Sequence, residues 1–113
     1  MVECHWQDRA LVVRLRGELD IGGAQELRAV VDPAWENGEA LAMIFDLSGL
    51  TFIDSSGLGA ILGRYRRVAE SGGRTMLVGL PEGMRRQLEM AGLLRLLPLF
   101  ESCEAALAEG MGK

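Results

Sequence analysis

The segment Leu41–Leu47 reads LAMIFDL, an almost unbroken apolar run with a single charge. Such a run leaves no solvent-facing stripe, which predicts a strand buried on both faces. A strand of that kind needs cover above and below its sheet, and crossovers between parallel strands supply it. Arg74–Gly79 reads as a second buried strand. Placed among the other periodic segments, the two predict the order β-β-α-β-α-β-α-β-α. That alternation implies a single α/β domain with right-handed crossovers. The expected architecture is a four- to five-stranded mixed sheet with about four helices packed mainly on one side. The length of 113 residues suits one domain with its own core.

Residues 2–8 form a weak first strand. Ala10–Arg16 (ALVVRLR) is a better one, closed by Gly17. After Glu18-Leu19-Asp20, the pair Gly22-Gly23 makes a turn that opens a helix. Leu27, Val30, Val31, Ala34 and Trp35 continue that helix to Asn37 at helical spacing. Pro33 lies inside the run and predicts a kink or restart near Ala29. Ser48–Asp54 reads as a loop, and the next helix begins near Ser55. Leu58, Ile61, Leu62, Tyr65 and Val68 form its apolar stripe. Arg64, Arg66 and Arg67 fall elsewhere, as a solvated basic face. Gly72-Gly73 ends it. Pro81 suits the first position of a third helix with Met84, Leu88 and Ala91 inward, and Gly92 lies just past its end. Leu93–Phe100 contains Pro98 and ends in a short strand at most. Ser102 caps a last helix, Cys103–Glu109, and the tail from about residue 110 is expected to fray.

The net charge of −4 and the pI near 5.0 argue against nucleic acid, whose phosphates need a basic face, and against anionic lipid. No apolar run approaches the ~20 residues of a membrane span, and the first residues do not read as a signal peptide. The expectation is a cytoplasmic protein. Cys4 and Cys103 are the only cysteines and form no C-x-x-C pair, so reduced thiols are expected unless the chain ends meet. One histidine, His5, and two distant cysteines make no metal-ligand set. Ser55 has no assigned base, and T-F-I-D-S-S-G is not a G-x-S-x-G elbow. Neither enzymatic activity nor a cofactor is expected.

The informative stretch is Asp46–Val68, DLSGLTFIDSSGLGAILGRYRRV. A buried strand leads to Asp54-Ser55-Ser56-Gly57 at a helix start. The ends of such strands are where open α/β sheets bind ligands, and a helix start carries unpaired N–H groups and partial positive charge. Phosphate on Ser55 would be tolerated there. Plain N-capping by Asp54 or Ser55 explains the same residues. Gly57 and Gly59 either keep the surface low for a partner or pack the helix on the sheet. Gly57, Gly59 and Gly63 also suggest a nucleotide phosphate loop. Their spacing misses the dinucleotide fingerprint by one residue, and no Walker lysine follows.

With these residues in hand, the chain resembles the STAS family, the sulfate transporter and anti-sigma factor antagonist domains. The resemblance runs from about Val12 to Ser102. It is strongest in FIDSSGLGAILGRYRR, Phe52–Arg67, with support from GELD at Gly17–Asp20, Gly72-Gly73, and AGL at Ala91–Leu93. The D-S-S-G-L-G core is similar to the phosphorylatable branch, and I-L-G-R-Y to its sporulation members. The resemblance implies an anti-sigma factor antagonist with Ser55 as phosphoacceptor. The implied partner is an anti-sigma factor with serine kinase activity, carrying ADP or ATP. It phosphorylates the antagonist, and a serine phosphatase reverses this. The unphosphorylated form captures the anti-sigma factor and frees the sigma factor for sporulation transcription. Implied partner-binding residues are Asp20, Asp54, Ser56, Gly57 and Leu58, with Ile21 and Ile61 beside them. Gly22-Gly23 and Pro33 depart from the family pattern. A general-stress antagonist or a nucleotide-binding STAS module are the alternatives.

Overall fold

A computed structural model describes residues 1–110 of the chain. Its sheet has five strands in sequential order: β1 (Val2–Gln7), β2 (Ala10–Leu19), β3 (Ala42–Ile53), β4 (Arg74–Val78) and β5 (Leu99–Phe100). The β1–β2 pair is an antiparallel hairpin, and every other pairing is parallel. The mixed five-stranded sheet of an α/β domain is therefore observed. The β3 strand lies at its centre, with Ala42, Met43, Ile44, Phe45 and Leu47 at most 1% exposed.

Five helices cover the sheet unequally. Helices α1 (Ile21–Glu36), α2 (Ser55–Glu70), α3 (Arg85–Met90) and the single turn α4 (Leu93–Leu96) lie on one face. Their Leu27, Val31, Ile61, Val68, Leu88 and Leu93 meet Leu11, Val13, Phe45 and Leu77 of the strands. Helix α5 (Cys103–Gly110) covers the other face alone, setting Ala106 and Leu107 against Val12, Ile44, Met76 and Val78. This opposite cover is what buries β3 and β4 from both sides. Cys4 packs into the first cluster and Cys103 into the second, so the sheet separates two free thiols. Burial raises the pKa of both.

Several elements depart from the sequence expectation. Strand β2 continues past Gly17, and β3 continues through Ser48–Ile53 where a loop was expected. Two bulges hide this extension. One extra β3 residue sits opposite Arg14–Arg16 and another opposite Gly17–Glu18. Each bulge breaks the period of two on which strand recognition depends. Gly17, at φ +79°, adopts a backbone that other residues rarely take. Helix α1 starts at Ile21 and takes in Gly22-Gly23. It runs unbroken through Pro33 instead of restarting near Ala29. Pro33 lies in its last turn and forfeits one backbone bond, while Leu27 and Val31 anchor the preceding turns. Pro81 precedes a 3₁₀ turn, Glu82–Met84, and α3 proper starts at Arg85. Ala91 is exposed. Gly110 is the buried last residue of α5, its carbonyl accepting from Arg74. Residues 111–113 of the expected frayed tail lie outside the described residues.

Arg64 is the largest departure. It is 8% exposed, not part of a solvated face. Its Nε lies 3.1 Å from Asp32 on α1, off the N–H axis, and its Nη1 donates to the Ala60 carbonyl at 3.3 Å. Arg67 holds the other Asp32 oxygen at 2.9 Å and Glu36 at 3.2 Å. Burial lowers the Arg64 pKa, Asp32 opposes that, and Arg67 and Arg28 add to it. The guanidinium stays charged all the same. The cluster clamps α1 to α2.

Candidate functional site

Strands β2 and β3 end side by side, Leu19 opposite Ile53, and each turns directly into a helix. The Asp54 amide donates to the Leu19 carbonyl at 3.3 Å and ties the two turns together. Both turns use the same capping device. Asp20 Oδ1 accepts from the Gly23 amide at 3.0 Å, and Asp54 Oδ1 accepts from the Gly57 amide at 3.1 Å. Each carboxylate satisfies a third-position donor that the helix itself cannot. The carbonyls of Asp20 and Asp54 then accept the first helical bonds, from Ala24 at 2.7 Å and Leu58 at 3.0 Å. The starts of α1 and α2 thus stand adjacent at the carboxyl edge of the sheet. Their partial positive ends lie next to two acidic caps.

The residues singled out in the sequence divide into surface and support. Ser55 is exposed in the first turn of α2, and Ser56 is half-buried beside it. Ile21 is 64% exposed at the corresponding first position of α1. Asp20 and Asp54 are half-buried, and Leu58 packs part of its side chain into the core. Gly57 is buried. A Cβ placed there would lie 2.2 Å from the Leu19 carbonyl oxygen, so this glycine lets α2 rest on the end of β2. Gly59 is exposed with nothing within 4 Å of an added Cβ, so of the two glycines it is the one that leaves the surface low. Ile61 is fully buried. It shapes the site from beneath and reaches no partner.

Other serines of the chain have structural duties. The Ser48 hydroxyl donates to Asp46 at 2.7 Å, the Ser71 hydroxyl donates to the Val68 carbonyl, and the Ser102 hydroxyl caps α5 by accepting from Ala105. Asp46 also accepts from the Ser48 amide and pairs with Arg14 at 3.4 Å. Burial alone would raise its pKa, but the two Ser48 bonds and Arg14 outweigh this and hold it below the ordinary carboxylate value.

Phe52 was missed in the sequence reading. It is 44% exposed on β3, opposite Glu18 and two residues before the Asp54 cap. Only a strand extending to Ile53 brings it to notice, and the bulges conceal that strand. Among the described residues no three His, Cys, Asp or Glu side chains group to hold a metal, and no helix is long and apolar enough to cross a membrane.

Known proteins share this arrangement. The sequence profile of the STAS domain matches residues 2–106. An anti-sigma F factor antagonist of Paenibacillus polymyxa is 34% identical over 108 residues, covering 96% of this chain and 92% of that protein. The anti-sigma factor antagonist SpoIIAA in its unphosphorylated form superposes with a TM-score of 0.86 at 30% identity, covering 100% of this chain and 98% of that one. The Bacillus cell fate determinant SpoIIAA in its phosphorylated form gives a TM-score of 0.73 at 31% identity, covering 93% and 96%.

Proposed function

Since this chain belongs to the STAS domain family, we propose that it is an anti-sigma factor antagonist switched by phosphorylation of Ser55. One observation carries the reading: Ser55 is an exposed serine in the first turn of a capped helix, set beside the start of a second helix. The named relatives act on anti-sigma factors, and one solved relative is phosphorylated. The unphosphorylated surface of Asp20, Ile21, Ser56, Leu58 and Gly59 receives the anti-sigma factor, which is also the serine kinase and carries ADP or ATP. A serine phosphatase resets the switch, and the sigma factor released serves sporulation.

The chemistry of the switch follows from charge. Asp54 and Asp20 occupy the third amide of each helix, leaving the amides of the first two positions turned outward. A phosphate on Ser55 sits against those amides and the partial positive end of α2, so the fold accommodates it. It adds about −1.5 to −2 charges beside two carboxylates. A partner carboxylate or nucleotide phosphate ~6 Å away is then repelled by roughly 3 kcal/mol per charge pair at an effective dielectric of ~20. That weakens binding about a hundredfold or more.

The test is calorimetric titration of the anti-sigma factor, in ADP, with wild type, Ser55→Ala and phosphorylated protein. Ser55→Ala should bind like wild type, and the phosphoprotein at least a hundredfold more weakly with an unchanged circular dichroism spectrum. Equal binding by all three, or phosphate mapping to Ser56, Ser48 or Ser71, refutes the proposal.

A further inference from the structure

A pocket unconnected with Ser55 lies at the outer edge of β4. It measures about 300 Å³ and is lined by Tyr65, Ala69, Gly73, Arg74, Thr75, Leu96 and Pro98. Strand β5 pairs only with Leu77 and Val78, so the edge of β4 before Leu77 has no strand beside it. The direction of its backbone groups follows from the ladder. Leu77 and Gly79 donate outward, to the Pro98 and Phe100 carbonyls, while Arg74 donates inward, to the Leu41 carbonyl. Along a strand these directions alternate, so the N–H and C=O of Thr75 both point outward, into the gap that β5 leaves.

Thr75 is only 4% exposed, and its hydroxyl has no hydrogen-bond partner among the described residues. One residue therefore turns a donor, an acceptor and an orphan hydroxyl toward the same small cavity. Buried polar groups are almost always paired, and an unpaired set calls for an occupant. Arg74 is engaged with the Gly110 carbonyl, so the pocket offers no committed cation. The Thr75 carbonyl repels an anion besides.

We infer that this pocket binds a small neutral molecule presenting a cis-amide, lactam-type edge to Thr75. The acceptor of the edge takes the Thr75 N–H and hydroxyl, and its donor serves the Thr75 carbonyl. The apolar body of the molecule rests among Tyr65, Ala69, Leu96 and Pro98. A strand-forming peptide fits less well, since only one residue of the edge is open.

The test uses 2-pyridone, a planar lactam, and N-methyl-2-pyridone, which lacks the donor. Each is titrated into the ¹⁵N-labelled full chain. The expected result is saturable shifts of the Thr75 amide and of Ala69, Gly73 and Leu96, with half-saturation at about millimolar 2-pyridone. The N-methyl compound should bind at least roughly threefold more weakly. Thr75→Val, which keeps the shape and removes the hydroxyl, should weaken 2-pyridone while leaving the spectrum folded. Equal shifts with both compounds, shifts elsewhere only, or no saturation would mean that the groups of Thr75 are met by water alone, and the inference fails. The two-compound comparison on wild type stands even if Thr75→Val does not fold.

Discussion

Gly57 and Gly59 stand two residues apart in one helix, and adding the same methyl group to each should move stability in opposite directions. At Gly57 a Cβ would lie 2.2 Å from the Leu19 carbonyl oxygen, 2.8 Å from Leu19 Cγ and 3.0 Å from Ile53 Cγ1. The first of these is backbone, held by its bond to the Asp54 amide, so relief requires α2 to lift by about an ångström from β2. Overpacking of this kind costs about 1–3 kcal/mol, and a rigid backbone neighbour favours the upper half of that range. The alanine gains about 1 kcal/mol of helix propensity, so the net loss for Gly57→Ala is about 1–2 kcal/mol. At Gly59 no atom opposes the new methyl, so Gly59→Ala keeps the propensity gain of about 0.5–1 kcal/mol. An unfolding entropy of about 2.1 cal/mol/K per residue makes each kcal/mol worth roughly 4 °C in a chain of 113 residues. Gly57→Ala should therefore melt roughly 4–8 °C below wild type and Gly59→Ala roughly 2–4 °C above it. Differential scanning calorimetry on the three proteins decides the matter. Equal melting temperatures for Gly57→Ala and wild type, or a loss at Gly59 as large as that at Gly57, would refute the packing assignment.

Asp32→Asn should cost about 2–3 kcal/mol in urea denaturation, because it leaves the nearly buried Arg64 without its counter-charge, and Arg64→Met should cost less. Asp54→Ala removes the cap of α2 and should cost about 1 kcal/mol, whereas Asp54→Ser should lose only part of that. Asp46 has a lowered folded pKa, so its stabilisation is complete above the unfolded carboxylate value and declines as pH falls through the folded one. Acid titration of stability should accordingly be shallower below pH ~4 in Asp46→Asn than in wild type. Asp20 is itself the cap of α1, so Asp20→Asn, which keeps the cap and removes the charge, is the variant to use in anti-sigma binding. A loss of more than about tenfold with unchanged helix content would mark Asp20 as a contact, and unchanged affinity would remove it from the interface.

What the sequence determined by itself is local. Leu41–Leu47 is too apolar for any strand but one covered on both faces, and β3 is at the centre of the sheet. Helix starts at Asp20 and Asp54, a stop at Gly72-Gly73 and a cap at Ser102 follow from short-range hydrogen bonding and backbone freedom, so they are legible within a few residues. The order of strands and helices then leaves few ways to connect them, and the observed sheet is one of those. Tertiary structure decided what depends on residues far apart in the chain. The register of β2 against β3 supports two bulges that no period-two pattern shows, and it brings Asp20 beside Asp54 and Phe52 into view. Arg64 reads as solvated until Asp32, on another helix, is placed against it. Gly57 packs and Gly59 does not because Leu19 lies beneath one and nothing lies near the other. The gap beside Thr75 exists because β5 stops short of it, a length set by how α4 turns and packs. Propensity and capping act through the bonds of one segment. Which glycine is pressed, which arginine is paired and which strand edge is left open are settled by neighbours that only the folded chain supplies.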